Sequence, residues 1–203
     1  MFSWLAQHRP CPMCGIEPAA HGASCRDCWQ NLPWLKTTVT RRELKILAAC
    51  HYAYPIDRII QQFKYEQQLH YQDMLAACLM QVKLPRVDAI VAMPISTERL
   101  IERGYNQSLL LAKQLSKHLK VPVWQPINRL HQHSQKGLSR LERLDHLEQQ
   151  FQLNKPYRKV YKRVLIVDDV VTTGSSIYAL HQALSQIGCQ QIYAVCVAAA
   201  DAK

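Results

Sequence analysis

The spacing of apolar residues changes repeatedly along the chain, and each change marks a predicted element. Ile46–Tyr54 (ILAACHYAY) is a nearly unbroken apolar run that predicts a strand entering the main body. From Pro55 the apolar spacing becomes three and four, with Ile56, Ile59, Ile60 and Phe63 on one stripe, which predicts a helix. Met74–Val82 reads as a second helix. Ala89–Met93 (AIVAM) is short, continuously apolar and ended by Pro94, the signature of a buried strand running into a loop. A helix carrying Leu109, Leu110, Leu111, Leu115 and Leu119 follows. Val164–Val167 predicts another buried strand, Ser176–Ile187 a helix stopped by Gly188, and Ile192–Ala200 a third buried strand. Strands apolar on both faces, alternating with helices, predict an α/β fold with a parallel sheet covered by helices.

Two stretches depart from this alternation. Residues 1–33 are too few and too polar to build a core, which divides the chain into a small module at 1–33 and a main domain at 34–203. Trp29, Leu32, Trp34 and Leu35 are placed to pack the module onto that domain. The stretch 129–163 is polar, basic and rich in Gln and His, and reads as a mobile functional loop with a helix attached. The remaining composition is globular: 48% hydrophobic and 20% charged among 203 residues, with six glycines. No run approaches the roughly 18 apolar residues of a membrane span, and no basic start or apolar stretch marks a signal peptide. The expectation is a soluble cytoplasmic protein without membrane insertion.

Charge sharpens the picture. The formal net charge is +10, and residues 129–163 alone carry nine basic against three acidic side chains. A patch of this kind suits a polyanion such as phosphate groups or a nucleic-acid backbone; the plain alternative is a solvated basic face.

Four of the eight cysteines lie at Cys11-Pro-Met-Cys14 and Cys25-Arg-Asp-Cys28. Each CxxC pair can form a tight knuckle with both thiolates aimed at one centre, so the spacing predicts one tetrahedral, structural zinc. Zinc would also supply the folding energy that so short a segment lacks. A redox reading is disfavoured, because a thioredoxin-type CxxC opens a helix after a strand and neither pair shows that setting. Cys50, Cys78, Cys189 and Cys196 lie in apolar surroundings and read as buried small hydrophobes.

Val164–Ser176 (VLIVDDVVTTGSS) carries the strongest chemical signal in the main domain. An apolar strand runs into two adjacent carboxylates, Asp168 and Asp169, with no evident counter-charge nearby in the sequence. Thr172, Thr173, Gly174, Ser175 and Ser176 then make a small hydroxylated turn before a helix. Backbone N–H groups at a helix N-terminus attract phosphate, and carboxylates at a strand's C-terminal end accept hydrogen bonds from a vicinal diol. The segment resembles the phosphoribosyl-pyrophosphate (PRPP) loop of type I phosphoribosyltransferases. That resemblance implies that Asp168 and Asp169 hold the ribose and Thr172–Ser176 the 5′-phosphate. It also places a pyrophosphate-binding backbone loop at Met93-Pro94, with Arg99 and Arg103, four residues apart, offering guanidinium groups to the same anion. Pairing of these arginines with Glu98 and Glu102 is the plain alternative.

Further motifs, in order, narrow the resemblance. Phe63-Lys64-Tyr65, Arg103-Gly104-Tyr105-Asn106-Gln107, Leu138-Ser139-Arg140 with Arg143, the VDDVVTTG run and the four-cysteine module together resemble the ComF/GntX family over essentially the whole chain. This implies a type I phosphoribosyltransferase-like domain and a role in natural transformation and DNA uptake, with competence helicase and other DNA-processing proteins as partners. Two functions stay open. In one, a PRPP site accompanies handling of single-stranded DNA by Arg129, Lys136, Arg140, Arg143, Lys155, Arg158, Lys159, Lys162 and Arg163, with Tyr157 and Tyr161 stacking bases. In the other, the protein is an active Mg²⁺-dependent phosphoribosyltransferase. Asp168 and Asp169 then stabilise charge at C1′, and Lys136 closes over the leaving group.

Overall fold

The computed structural model describes residues 10–20, 23–129, 151–154 and 159–201. Its first element is a short helix, α1 (Arg26–Gln30), followed by a hairpin of β1 (Trp34–Arg41) and β2 (Leu44–His51). Helix α2 (Ile56–Tyr65) comes next, and a single 3₁₀ turn leads into α3 (Gln72–Leu79). Strand β3 (Ala89–Ala92), α4 (Thr97–Arg103) and α5 (Gln107–Leu119) precede a small ribbon of β4 (Ile127–Arg129) and β5 (Phe151–Leu153). Strand β6 (Arg163–Val171), α6 (Ser175–Gln186) and β7 (Gln191–Ala199) complete the order.

One five-stranded sheet runs in the order β1-β2-β7-β6-β3. β2, β7, β6 and β3 are parallel, as their doubly apolar sequences require, and their inner positions are almost wholly buried. β1 is antiparallel to β2 and makes the sheet mixed. This strand is absent from the sequence reading because an edge strand is half wet: Thr37 and Thr38 are exposed, and the alternation of WLKTTVTR carries little apolar signal. Its polar residues also discourage pairing with another chain.

The sheet separates two apolar clusters. On one face α2, α3 and α5 supply Ile56, Ile60, Phe63, Leu75, Leu79, Leu111 and Leu115 against Leu165, Val167, Val195 and Val197. On the other face α6 supplies Ile177, Leu180 and Leu184, joined by Trp124 and Phe151 at the ribbon, against Val164, Ile166 and Cys196. The stripe read along α2 is thus its buried face, all four residues being 4% exposed or less.

The cysteine module docks through aromatics. Trp29 meets Trp34 edge to face at 4.8 Å, and the Trp34 indole donates to the Trp29 carbonyl at 3.0 Å. Tyr71 donates to the Pro12 carbonyl at 3.1 Å. Among the described residues, no helix is long and apolar enough to cross a membrane.

Candidate functional site

Strand β6 continues four residues past the apolar run Val164–Val167 and ends at Val171, so Asp168 and Asp169 lie inside it. A strand turns successive side chains to opposite faces. Asp169 has the parity of Leu165 and Val167 and faces α2, where it is 5% exposed. There its Oδ1 receives the Lys64 ammonium at 2.8 Å and the Val170 N–H at 2.7 Å. The expectation of two uncompensated acids facing a ligand is therefore corrected: Asp169 is buried and carries its own counter-ion. Burial works to lower the Lys64 pKa, but the carboxylates of Asp169 and then Asp168 outweigh it and hold the ammonium above its ordinary value.

Asp168 is half-buried and lines a depression together with Val170–Ile177. Its Oδ1 accepts from the Ser108 hydroxyl at 3.0 Å and from the Asp169 N–H at 2.9 Å. Burial and then the adjacent Asp169 charge push its pKa up to about 7.

The turn beyond it has the form that phosphate binding needs. Thr172 and Thr173 are exposed, Thr173 and Ser175 hydroxyls share a hydrogen bond of 2.9 Å, and Ser175 and Ser176 open α6 without a side-chain cap. Gly174 adopts φ +76°, and a Cβ there would lie 2.5 Å from Arg41 Cβ. Arg41, at the end of β1, clamps this turn from behind. Its guanidinium donates to the Thr172 carbonyl at 2.8 Å and to the Ala200 carbonyl at 2.7 Å. A trans peptide sets C=O and the next N–H in opposite directions, so this contact turns the Thr173 N–H away from Arg41. Nothing in the sequence pattern pointed to Arg41.

Two short motifs, far apart in sequence, lock together beside the acids. Tyr105 donates to the Phe63 carbonyl, and Gln107 Nε2 donates to the Lys64 carbonyl at 3.5 Å. Arg103 donates to Gln107 Oε1 at 3.2 Å and stacks over the Tyr65 ring at 4.8 Å. Asn106 caps α5 by accepting from the Leu109 N–H, and its amide donates to the Met93 carbonyl at 3.0 Å. Met93 and Pro94 are buried at the end of β3. Arg99 is exposed, and its charge lies near enough to Arg129 to help lower that guanidinium's pKa, after burial itself. Arg99 and Arg103 therefore have different neighbours. Lys64 and Ser108 escaped the site reading, although Lys64 sat in a motif that the resemblance had singled out.

The basic stretch divides. Lys136, Arg140, Arg143, Lys155, Tyr157 and Arg158 lie outside the described residues. Arg129 belongs to β4, and Lys159, Lys162 and Arg163 lie at or before the start of β6. Arg163 is roughly 17 Å along the strand from Asp168, at the other end of the sheet. Its guanidinium donates to both oxygens of Asp88, at 2.7 and 3.2 Å, and this contact holds the Asp88 carboxyl below its ordinary pKa. Tyr161 packs edge-on against Trp124 at 5.3 Å and takes the Lys159 ammonium on its ring at 4.7 Å. Tyr161 and Arg163, expected to stack bases and bind phosphate, are both engaged within the chain.

Cys11, Cys14, Cys25 and Cys28 converge, with all four Sγ atoms within 4.8 Å of one another and Cys14 3.8 Å from Cys25. A tetrahedron of thiolates at about 2.3 Å from zinc spaces its sulfurs at about 3.8 Å, so the cluster has the dimensions to hold one such metal ion. Gly15, at φ +70°, permits the knuckle, and the N–H groups of Glu17 and Ile16 pull the Cys14 pKa down to about 7. Cys25 caps α1, so the second pair opens a helix, but among the described residues no strand leads into it, and the thioredoxin setting is not reproduced. The convergence of all four sulfurs disfavours a redox motif further.

Residues 105–203 match the phosphoribosyl transferase domain family. Competence protein F of Haemophilus influenzae is 33% identical over 90% of this chain and 81% of its own. The DNA utilization protein YhgH of Escherichia coli K12 is 31% identical over 92% and 82%. Competence protein ComFC of Bacillus subtilis is 25% identical over 88% and 72%.

Proposed function

Because the chain belongs to the competence protein F family, we propose that it handles incoming single-stranded DNA in the cytoplasm and carries a PRPP site at the C-terminal end of β6. The observation that supports the site most directly is a single depression lined by Asp168 and by Thr172–Ser176. A carboxylate and an anion-seeking turn in one concavity suit a sugar with a diol at one end and a phosphate at the other. Asp168 accepts from the ribose hydroxyls, the turn N–H and hydroxyl groups hold the 5′-phosphate, and the exposed Arg99 on α4 is offered to the diphosphate. Mg²⁺ enters with PRPP as part of the substrate, held by diphosphate oxygens and water. Zinc occupies the four-cysteine cluster and ties residues 11–28 into a module that packs on α2 and β1.

The DNA role draws on the net charge of +10 and on the relatives named for competence and DNA utilization. Helicase and other DNA-processing proteins are the partners this role calls for.

A transferase reading is favoured by the same acid beside the same turn. Holding both ends of the ribose fixes C1′ while its bond to pyrophosphate oxygen breaks and a bond to an acceptor nitrogen forms. Calorimetric titration with PRPP and Mg²⁺, followed by a pyrophosphate-release assay with candidate bases, tests both readings. Saturable binding without release leaves a PRPP-binding protein, release identifies a transferase, and no binding refutes the site. Fluorescence polarisation with a labelled oligonucleotide across a salt series tests the DNA role. Each phosphate contact should contribute about −0.7 to the slope of log affinity against log salt.

A further inference from the structure

Two adjacent acids at a sugar-binding strand invite a single shared role, but the packing around them is unequal. Asp168 borders the depression with the phosphate turn, whereas Asp169 is absent from that lining and is held by Lys64. Lys64, whose side chain is 20% exposed, reaches Asp169 at 2.8 Å, and the Asp169 side chain is 8% exposed. The backbone on either side of that lysine is fixed. The Phe63 and Lys64 carbonyls accept from Tyr105 and Gln107 on the segment that begins α5, and the Phe63 ring is fully buried. Ser108, one residue after Gln107, donates to Asp168. A continuous set of contacts therefore runs from α2 through α5 to both acids.

We propose that the two acids have separate roles: Asp168 alone meets the sugar, while Asp169 and Lys64 form an internal ion pair that positions Asp168. Lys64 and Asp169 are then positioning residues and neither touches ligand. The proposal rests on the PRPP reading of the depression. Its electrostatic logic is direct. A carboxylate beside a carboxylate resists ionisation, and an ammonium of opposite sign behind the pair cancels most of that resistance. The other groups that face Asp168 are few. Ser108 comes from α5, the buried Cys196 thiol lies opposite it on β7, and the Arg129 charge reaches it from β4. None of these changes when the pair is altered.

The test is a double-mutant cycle on the full chain, read by thermal melting and by PRPP titration from pH 5.5 to 8.5. Asp168→Asn should melt no lower than the parent at pH 8 and lose at least tenfold in PRPP affinity. Lys64→Met and Asp169→Asn each strand a buried charge and should lower Tm by about 10 °C. The pH at which binding is half lost separates positioning from mere stability. It should rise in Lys64→Met, where Asp169 is left bare, and fall in Asp169→Asn, where the ammonium is left alone. The combined variant should recover most of the melting loss and bind PRPP more tightly than either single variant. Lys64→Arg should keep the parent's midpoint.

Midpoints that move in the same direction in both single variants overturn the proposal. So does a combined variant that melts like the parent yet binds PRPP more weakly than both. If the parent itself takes no PRPP, the functional reading falls, and the melting cycle decides the pairing by itself: additive losses overturn it and recovery upholds it.

Discussion

Gly174→Ala should be among the most damaging single-methyl changes in this protein, and its cost divides into two parts. The backbone there sits at φ +76°, where any L side chain costs about 1–2 kcal/mol. The new methyl would also lie 2.5 Å from Arg41 Cβ and 3.5 Å from Arg41 Cγ. Those atoms belong to a stem whose guanidinium is tied to the Thr172 and Ala200 carbonyls, so it has little freedom to yield. Overpacking of this kind adds about 1–3 kcal/mol, for a total of about 2–5 kcal/mol. Gly104 provides the control, since it has φ +78° but nothing within 4 Å of a Cβ. Gly104→Ala should show the backbone part alone, about 1–2 kcal/mol. Urea unfolding at fixed pH gives both values from midpoints and slopes. If the two alanine variants lose equal stability, Arg41 does not pack against the turn and the account of that clamp is wrong. Gly174→Ala should also weaken PRPP binding while the protein stays folded, because the methyl displaces the turn proposed to hold the phosphate.

Asp168 ionises at about 7 in the folded chain against an ordinary carboxylate value near 4 when unfolded, so the folded state binds the extra proton between those limits. Stability should therefore fall as pH rises from about 4 to about 7. Asp168→Asn should remove that slope and gain about 2 kcal/mol at pH 8, discounted for partial exposure and checked by chemical denaturation across pH. Cys11→Ser should lower bound zinc from about one per chain to near zero and lower Tm, with PRPP affinity retained; metal analysis and calorimetry of one preparation decide it. Arg163→Ala should leave PRPP affinity within error, because the Arg163–Asp88 pair sits at the opposite end of β6 from the turn, and titration of the variant checks this.

Local information accounts for much of this protein. Two CxxC pairs can converge on one centre because each knuckle closes over four residues, and the sulfurs do converge. The stripe on α2 and the apolar runs of β3, β6 and β7 foretold the buried faces, since helix and strand periods are set by the backbone alone. The turn Thr172–Ser176 was legible for the same reason, as its small residues and single glycine are local requirements. Only the tertiary structure decided which charges meet. Lys64 reaches Asp169 from α2 on one face of the sheet, Arg41 reaches Thr172 from 131 residues away, and Arg163 reaches Asp88 from 75. Such pairs depend on strand order and on how a helix is rotated over the sheet, neither of which a periodic pattern contains. The separation of Asp168 from Asp169 lies between these cases. Alternation along a strand predicts opposite faces for the two acids, yet Ser108 on α5 and Lys64 on α2 meet them from the same side of the sheet. Only the tertiary contacts show that Asp169 takes the counter-ion while Asp168 borders the depression.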